Sequence, residues 1–373
     1  MGSQAMATGL MDTEAMVQDL RTLVECESPS GDVAATRRCA ELVAELGERW
    51  LGAAPRVVRT GERVALLWSW EGPRRRLVLG HLDTVWPIGT LARWPFTHDA
   101  DRASGPGCFD MKAGIVQAMH AIASLEDPSG LQLLLTSDEE IGAPDSRPLI
   151  EQVAREVDEV FVPEASAAGA LKVERKGVSL YAVHVAGRAA HAGLEPELGV
   201  NASIELAHQV LAIAALQDAS AGTTVTPTVL SAGTTTNTVP AAGQIRVDVR
   251  ARTEAEQDRV DAAMRALTPV LDGAALSIGG GKNRPPLERR RSEQLLARAV
   301  QAYRDLGYGE LAGVAVGGAS DGNFTAGLGI PTLDGLGAVG DGAHAEGEWV
   351  SVPDLTRRAA LLAALVRPDD PAR

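Results

Sequence analysis

Cysteine is scarce in this sequence of 373 residues, and no hydrophobic run in it is long. The three cysteines, Cys26, Cys39 and Cys108, are odd in number and far apart, which argues against a disulfide framework and a cysteine-based metal site. The longest apolar runs, such as 359–366, are far shorter than the roughly 20 residues that a membrane-spanning helix needs. We therefore expect no membrane association.

Positive charge and aromatic residues are also in short supply. Lys and Arg number 35 against 49 Asp and Glu, a net charge of −14, and aromatic residues make up 3%. An acidic surface repels phosphate and offers bases little to stack on, so nucleic acid is not an expected partner. Residues 1–6 contain neither a basic nor an apolar segment of a secretory signal, and we expect a soluble cytoplasmic protein.

The chain has enough apolar residues for a substantial core. Hydrophobic residues make up 45% and charged residues 23%, and the length predicts two or three domains. The first part alternates short apolar runs with helical patterns, which is typical of an α/β sheet with helices on its faces. The predicted strands are 64–68, 76–80, 131–135 and 160–162, and the predicted helices are 111–125 and 146–157.

The pattern changes near Lys176. From there to about 286 the predicted elements follow the order β-α-β-β-α-β, which is that of a ferredoxin-like domain. The α/β pattern then resumes. We therefore predict one α/β domain, formed by residues 1–175 and 287–373, that is interrupted by an inserted ferredoxin-like domain at 176–286. The strands predicted in the insert are 178–185, 224–230, 244–251 and 275–278, and its helices are 201–216 and 254–271.

Acidic and histidine residues follow the predicted strands of the α/β part. In open α/β sheets, ligands bind beyond the carboxyl ends of the strands, so these side chains are candidates for one site. Two histidines and three carboxylates suit a pair of divalent ions, with zinc as the first choice and cobalt or manganese as alternatives. The two histidines are His81 and His344. The three carboxylates are Asp110, Glu164 and one of the adjacent pair Glu139-Glu140.

Each position has a distinct expected role. Asp110 follows a tight glycine turn and is the candidate carboxylate that bridges two ions. Asp83 is placed to hold the second nitrogen of His81. Of the adjacent Glu139 and Glu140, one carboxylate can bind metal and the other can act as general base. Taken singly, these features are equally compatible with a helix cap, a solvated charge run or a structural histidine, so the prediction depends on their combination.

Three segments carry a specific resemblance. Residues 80–85 are GHLDTV, residues 105–114 are GPGCFDMKAG and residues 136–142 are TSDEEIG. In this order they resemble the co-catalytic dizinc peptidase family that includes carboxypeptidase G, aminoacylase, acetylornithine deacetylase and succinyl-diaminopimelate desuccinylase. The resemblance covers nearly the whole chain, and glutamate carboxypeptidase is the most similar in motif.

The resemblance implies a complete set of metal ligands. One zinc ion would bind His81, Asp110 and Glu164, and the other would bind Asp110, Glu140 and His344, with Glu139 as general base and Asp83 supporting His81. Glu348 also fits the family's last motif, residues 343–350 (AHAEGEWV).

The inserted domain resembles the family's lid and dimerisation domain. Residues 187–193 (GRAAHAG) imply that His191 reaches the active site of a partner subunit and stabilises the oxyanion, and residues 236–240 (TNTVP) imply that Asn237 contacts the substrate carboxylate. Arg284 would grip the free α-carboxylate and Lys172 the glutamate side chain. An ordinary turn or surface role for each of these residues remains open.

The expected function is that of a homodimeric, metal-dependent amidohydrolase or exopeptidase. It would cleave the amide bond of a C-terminal or N-acylated amino acid by metal-activated water, as glutamate carboxypeptidase does. Alternatives of the same fold are an acetylornithine- or desuccinylase-type deacylase, an aminopeptidase and a dipeptidase. An inactive binding dimer and a cysteine hydrolase using Cys108 are remote alternatives; we expect Cys108 to be a small buried residue.

Overall fold

The computed structural model describes residues 11–72 and 75–368. By internal contacts the chain divides into two compact units, one of 1–174, 288–316 and 320–373 and the other of 175–287 and 317–319. The sequence-based division keeps 287–373 together, and that division into domains remains a prediction. Within the described ranges no helix is both long and apolar enough to span a membrane.

The first unit is built around an eight-stranded mixed sheet in the order β1-β2-β6-β3-β7-β14-β8-β13. Its central strands β6, β3, β7 and β14 run parallel, and β1, β2 and β8 pair antiparallel. The predicted α/β class with a mixed sheet is confirmed. The strands are β1 (Arg56–Thr60), β2 (Arg63–Ser69), β3 (Arg76–His81), β6 (Leu131–Thr136), β7 (Glu159–Val162), β8 (Leu171–Arg175), β13 (Gly313–Val316) and β14 (Thr332–Asp334).

Apolar side chains pack on both faces of this sheet, since successive residues of a strand point to opposite sides. Leu77 and Val78 of β3, for example, belong to two different clusters of buried residues. The flanking helices supply the other half of each cluster. They are α1 (Thr13–Glu25), α2 (Val33–Leu51), α3 (Ala113–Ala123), α4 (Arg147–Ala154), α7 (Glu293–Asp305), α8 (Gly322–Gly327) and α9 (Val352–Val366).

A small antiparallel sheet completes the first unit, in the order β15-β16-β5-β4. It joins the segment before Asp110 to the segment after His344, because β16 pairs with β5. Its strands are β4 (Thr97–His98), β5 (Arg102–Ser104), β15 (Gly340–Asp341) and β16 (Trp349–Ser351).

The second unit has a four-stranded antiparallel sheet in the order β10-β11-β9-β12. Together with two helices this is the ferredoxin-like arrangement that the element order predicts. Val183, Ile245 and Leu206 are among the buried residues between sheet and helices. The elements are β9 (Gly177–Ala186), α5 (Ala202–Ala214), β10 (Thr224–Ala232), β11 (Ala242–Ala251), α6 (Glu254–Arg265) and β12 (Ala275–Arg284).

Several predicted boundaries differ from the structure, and three of them have a physical reason. The helix predicted over 254–271 ends at Arg265, ahead of the helix-breaking Pro269. The strand predicted over 275–278 continues to Arg284, because its glycines remain paired with β9. The helix predicted over 111–125 begins only at Ala113, because Asp110 and Met111 have non-helical backbone angles.

Candidate metal centre

The parallel strands of the large sheet bring three predicted ligands to one edge. His81 is the last residue of β3, the Glu139-Glu140 pair follows β6, and Glu164 follows β7. Because these neighbouring strands are parallel, their carboxyl ends meet at the same edge of the sheet. The strand pattern therefore accounts for the convergence of residues that are distant in the chain.

Two groups of three side chains form at this edge and share Asp110. In the first group, His81 Nε2 lies 3.5 Å from Asp110 Oδ1 and 3.4 Å from Glu164 Oε1. In the second group, His344 Nε2 lies 3.3 Å from Asp110 Oδ2 and 3.1 Å from Glu140 Oε2. Asp110 thus presents one carboxylate oxygen to each group. The structure brings all five predicted ligands together.

The residues present fit a pair of divalent ions. Within each group the ligand atoms all lie within 4.8 Å of one another. The buried His81 Nε2 and Glu140 Oε1 have no hydrogen-bond partner among the described residues. An orphaned buried polar atom is costly, and a cation held by nitrogen and oxygen ligands would satisfy both atoms.

Two glycines, one on each side of Asp110, let the chain pass close to its neighbours. Gly107 has φ of +74°, and a Cβ there would lie 2.5 Å from Thr84 Cγ2, so the turn before Asp110 requires glycine. A Cβ on Gly114 would lie 1.9 Å from the carbonyl oxygen of Pro163, the residue before Glu164. The lack of a side chain at 114 therefore allows the start of α3 to lie against the end of β7.

The imidazole of His81 is oriented by the backbone of Asp83. His81 Nδ1 lies 3.0 Å from the carbonyl oxygen of Asp83 and 3.5 Å from its carboxylate Oδ1. A carbonyl oxygen only accepts, so Nδ1 carries the proton and Nε2 presents its lone pair to the first group. Asp83 therefore lies against the nitrogen that the sequence assigns to it, with its main-chain oxygen as the nearer partner.

The carboxylate of Asp83 instead organises the acidic pair. It accepts the backbone N–H of Glu139 and the backbone N–H of Glu140, each at 3.2 Å, and the hydroxyl of Ser30 at 2.6 Å. It is completely buried. One carboxylate therefore sets the positions of two consecutive glutamates whose predicted roles differ.

Glu139 belongs to neither group of three. It is buried, with 7% of its surface exposed, and lies beside Glu140 in a short 3₁₀ turn, Glu139–Ile141. Glu139 thus directly precedes a ligand candidate in the chain without belonging to either group, which is compatible with the role of general base.

His344 is carried by a tight loop between β15 and β16. Its φ is +63°, a left-handed conformation that is uncommon for a residue with a side chain, and Gly342 before it has φ of +86°. The side chain is half exposed, at 52%, in contrast to the buried His81. The second group is therefore the more accessible of the two.

Opposite charges dominate the electrostatics of the centre. Burial lowers the pKa of His81, but the neighbouring carboxylates of Asp110, Asp83 and Glu164, which lie 3.4–3.5 Å from its ring nitrogens, outweigh it, and the pKa lies well above its ordinary value. Contacts with Asp110 and Glu140 raise the pKa of His344 to about 10. Both shifts are caused by carboxylates that are themselves candidate ligands of a divalent cation.

Comparison with known proteins identifies the family. Residues 77–367 match the model of peptidase family M20/M25/M40. The chain belongs to this family. It is 30% identical to carboxypeptidase G2 of Pseudomonas sp. over 94% of this chain and 88% of that protein. It is 29% identical to succinyl-diaminopimelate desuccinylase of Caulobacter vibrioides over 85% and 87% of the two chains.

Solved structures show the same fold. Aminopeptidase PepT from Bacillus cereus superposes with a TM-score of 0.73 at 20% identity, over 96% of this chain and 99% of that one. The M20 metallo-carboxypeptidase Sso-CP2 from Sulfolobus solfataricus gives 0.72 at 16% identity, over 95% and 99%. This protein is thus a metal-dependent hydrolase of the M20 family, as the sequence motifs predict.

Three predicted site residues of this M20 protein lie in the second unit, at two different ends of its sheet. His191 and Asn237 are neighbours, because His191 bridges to Thr238 and the Asn237 carbonyl accepts the N–H of Ala192 at 2.9 Å. Arg284 is the last residue of β12 and is mostly buried. Its pairing with Val178 places it at the start of β9, whereas His191 follows the end of that strand.

Lys172 lies on β8 of the first unit, where it pairs with Asp334. Its positive charge contributes to lowering the pKa of Asp110; burial raises that pKa, and His344 and His81 lower it more strongly than Lys172 does. Lys172 is therefore close enough to the centre to influence it electrostatically.

Cys108 is fully buried, as expected from the sequence. Its thiol donates to the carbonyl oxygen of Glu348 at 3.6 Å, and burial raises the pKa of the thiol well above its ordinary value. A buried thiol with a raised pKa is a poor nucleophile. The cysteine-hydrolase alternative therefore finds no support here.

Two residues outside the predicted set also contribute to this centre. Ser30 donates to Asp83, and Trp86 donates its indole N–H to the Glu348 carboxylate at 3.3 Å. Neither has a spacing that signals a role. Trp86 lies one residue beyond the GHLDTV motif, and Glu348 was noted without a function, so only their contacts reveal what they do.

Proposed function

We propose that this M20 protein is a two-ion amidohydrolase that releases a C-terminal or N-acylated amino acid, with glutamate as the preferred leaving group. The observation that carries the proposal is the split carboxylate of Asp110, which offers one oxygen to His81 and the other to His344. A shared carboxylate is the usual bridge of two-metal hydrolases.

The ligands of each ion follow from the two groups. His81, Asp110 and Glu164 would hold one ion, and Asp110, Glu140 and His344 the other, with zinc as the first choice and cobalt or manganese as alternatives. Bound ions would make water more acidic and polarise the scissile carbonyl.

Glu139 carries the proton in this mechanism. Its carboxylate takes a proton from the attacking water and delivers it to the leaving amine, which requires a base near the ligand groups but outside them. Asp83 holds Glu139 through the backbone N–H, so that the base does not move when it changes charge. The backbone oxygen of Asp83 keeps His81 in the tautomer that presents Nε2.

Recognition of a free carboxylate is assigned to cationic and amide side chains. We assign Lys172 to the glutamate side chain, Arg284 to the α-carboxylate and Asn237 to a second contact with that carboxylate, since a guanidinium pairs well with carboxylate. The 30% identity to carboxypeptidase G2 supports this choice of substrate.

A homodimer is part of the proposal. The pairing of β9 with its neighbours runs from Val178 to Ala186, a span of about 26 Å. Arg284 lies at one end of it, and His191 and Asn237 at the other. One copy of this unit cannot bring both ends to a single small substrate. His191 and Asn237 are therefore both assigned to the partner's active site, His191 to the oxyanion and Asn237 to the substrate carboxylate.

Exposed apolar residues in the second unit support self-association. Val229 and Leu230 are exposed on β10, which is an edge strand, and Leu211 is exposed on α5. An edge strand with exposed apolar side chains is suited to pairing with a second copy. We therefore assign this unit as lid and dimerisation domain.

The free cysteines bear on the cellular compartment of the protein. All three cysteines are free, as in a reducing compartment, and we propose a cytoplasmic location on that ground.

A second candidate function is that of an N-acyl amino acid deacylase. It is favoured by the 29% identity to succinyl-diaminopimelate desuccinylase and the 27% identity to the acetylornithine deacetylase of Myxococcus xanthus. The same centre would perform the same hydrolysis, and only the leaving amine would differ.

A metal-dependent substrate panel tests both candidates. Chelator-stripped protein is reloaded with zinc, cobalt or manganese and assayed on N-acyl glutamate, N-acetylornithine, N-succinyl-diaminopimelate and free dipeptides. We expect the highest kcat/KM for N-acyl glutamate and no turnover without metal. Preference for N-acetylornithine or N-succinyl-diaminopimelate would establish the deacylase, and turnover that is indifferent to chelator would contradict both.

A further inference from the structure

Glu348 is a buried glutamate that is not itself a ligand candidate. It contacts the segments that carry Asp110 and His344, two members of the second group. Glu348 is fully buried four residues after His344. Its Oε1 accepts the backbone N–H of Phe109, the residue before Asp110, at 3.3 Å. Its Oε2 accepts the indole N–H of Trp86 at 3.3 Å. The Glu348 side chain thus reaches the segment that carries Asp110.

The main chain of Glu348 holds the same segment. Its carbonyl oxygen accepts the hydroxyl of Ser104 at 2.7 Å and the thiol of Cys108 at 3.6 Å. Side chain and backbone of one residue therefore fix the approach to Asp110 at Ser104, Cys108 and Phe109. A substitution at Ser104 or Cys108 would remove one of these contacts and leave the others. Loss of the Glu348 side chain would remove the contacts with Phe109 and Trp86 together.

The loop of His344 closes onto this same residue. The Ala345 N–H donates to the Gly342 carbonyl at 2.9 Å and the Glu348 N–H to the Ala345 carbonyl at 3.2 Å. A Cβ on Gly342 would lie 2.9 Å from the Cα of Glu348, so the two ends of the loop are in contact. The position of Glu348 therefore determines where the loop holds His344.

We propose that Glu348 is the positioning residue of the second ligand group, which sets His344 against Asp110 and connects Trp86 to both. The inference rests on the proposed two-ion function and deepens it. Its consequence is asymmetric, because Glu348 holds the loop of His344, which is a ligand candidate of the second group alone. It reaches the His81 segment only through the Trp86 indole and has no hydrogen bond to the Glu164 segment among the described residues. Loss of Glu348 should weaken one ion far more than the other.

The acid itself can be mimicked by an amide. Burial raises the pKa of the Glu348 carboxyl to about 8, against the hydrogen bond from Phe109 that lowers it. A glutamine has the same shape and one oxygen that can still accept from the backbone. Glu348→Gln should therefore preserve the positioning that Glu348→Ala removes.

The test measures metal binding by the full-length, chelator-stripped protein with zinc alone, by competition with a chromogenic chelator. We expect two ions in the unsubstituted protein. In Glu348→Ala the affinity for one ion should fall about tenfold or more, and the other should change by less than about threefold. Glu348→Gln should stay within about threefold for both ions.

The matched control is Glu346→Gln in the same loop. Glu346 is exposed and pairs with Arg93 at 2.8 Å, and its replacement should leave both affinities unchanged. In kinetics, Glu348→Ala should lower kcat with little effect on KM, since the residue does not touch substrate.

Two outcomes for Glu348→Ala overturn the inference. One is unchanged affinity for both ions. The other is a parallel loss of affinity for both ions together with a lower Tm of the metal-free protein, because this combination would indicate a purely structural residue. Should Glu348→Ala fail to fold, Trp86→Phe removes one donor and keeps a ring, and unchanged affinity for both ions in that variant would also refute the link. Fewer than two ions in the unsubstituted protein would reject the proposed function, and the inference with it.

Discussion

Asp83 and Glu140 are joined by a hydrogen bond from the backbone N–H of Glu140 to the Asp83 carboxylate, at 3.2 Å. The other oxygen of that carboxylate accepts the backbone N–H of Glu139. A single buried acid thereby fixes the spacing between the proposed base and the proposed ligand. The side chains of the acidic pair are free to differ in function because their backbone is held in common.

Replacing Asp83 by asparagine should therefore weaken both folding and catalysis. An amide accepts with only one oxygen, so a buried N–H of Glu139 or Glu140 loses a charged acceptor, at a cost of about 1–3 kcal/mol. Urea unfolding and kcat measure the two effects. Asp99→Asn is a matched control, because the Asp99 carboxylate accepts two backbone N–H groups at the surface; it should change stability little. Equal effects of the two substitutions would contradict the assigned role.

Glu139→Gln should separate catalysis from metal binding. Because Glu139 belongs to neither ligand group, the variant should bind two ions with unchanged affinity. Its kcat should fall by about 10²–10⁴-fold, which is the usual contribution of a positioned general base. Glu140→Gln serves as the comparison and should lose affinity for one ion. Loss of metal from Glu139→Gln would reassign it as a ligand.

Mixing two inactive variants should restore activity if His191 acts in the partner's site. A heterodimer of Glu139→Gln and His191→Ala subunits has one site with an intact Glu139 that receives an intact His191. Random exchange of equal amounts should recover about a quarter of the full activity. A mixture of Glu139→Gln and Glu140→Gln is the control and should recover none. Failure of the first mixture, with subunit exchange verified, would place His191 outside the partner's site.

Removing the ions should destabilise the protein. Each ion at about 100 times its Kd contributes about 2.7 kcal/mol to folding, so two ions contribute about 5.4 kcal/mol. For a unit of this size we expect Tm to fall by about 10–20 °C with a chelator and to recover on adding zinc. A variant with His81→Ala and His344→Ala should show no such response. An equal chelator effect on that variant would mean that the ions bind elsewhere.

Cys26 should be the thiol that reacts first. A hydrogen bond with Cys39 lowers its pKa to about 6, with Lys112 and Arg38 adding to the effect and burial opposing it. Its thiolate forms as the pH rises through 6, so alkylation by iodoacetamide should increase over that range and level off above about pH 7. Mass spectrometry should find Cys26 modified and Cys108 unmodified. The labelled protein should retain its hydrolytic activity. Inactivation in step with Cys108 labelling would revive the cysteine-hydrolase alternative.

The central elements of the fold could be predicted because their sequence pattern and their environment agree. The strand predicted over 76–80 contains the apolar run 77–79 and lies between two parallel neighbours, where both faces are buried. The extension of β12 through Gly279–Gly281 could not be predicted. Glycine is typical of turns, and here only pairing with β9 keeps the segment extended.

The ligand set was predictable for a related reason, since residues that follow parallel strands share an edge. His344 follows no long strand, and its place depends on the small sheet that pairs β16 with β5. The function of the Asp83 backbone and of Ser30 was beyond prediction. A hydrogen bond to a main-chain oxygen leaves no residue pattern, and neither does a single side-chain bond between residues 53 positions apart. Where His191, Asn237, Arg284 and Lys172 contact substrate remains a prediction.

The left-handed turn that presents His344 follows the segments of all the other proposed ligands along the chain. A ribosome has therefore already released His81, Asp110 and Glu164 when it reaches residue 344. The second group of ligands cannot assemble before that point. A second cation could bind there only once synthesis has passed the loop of His344.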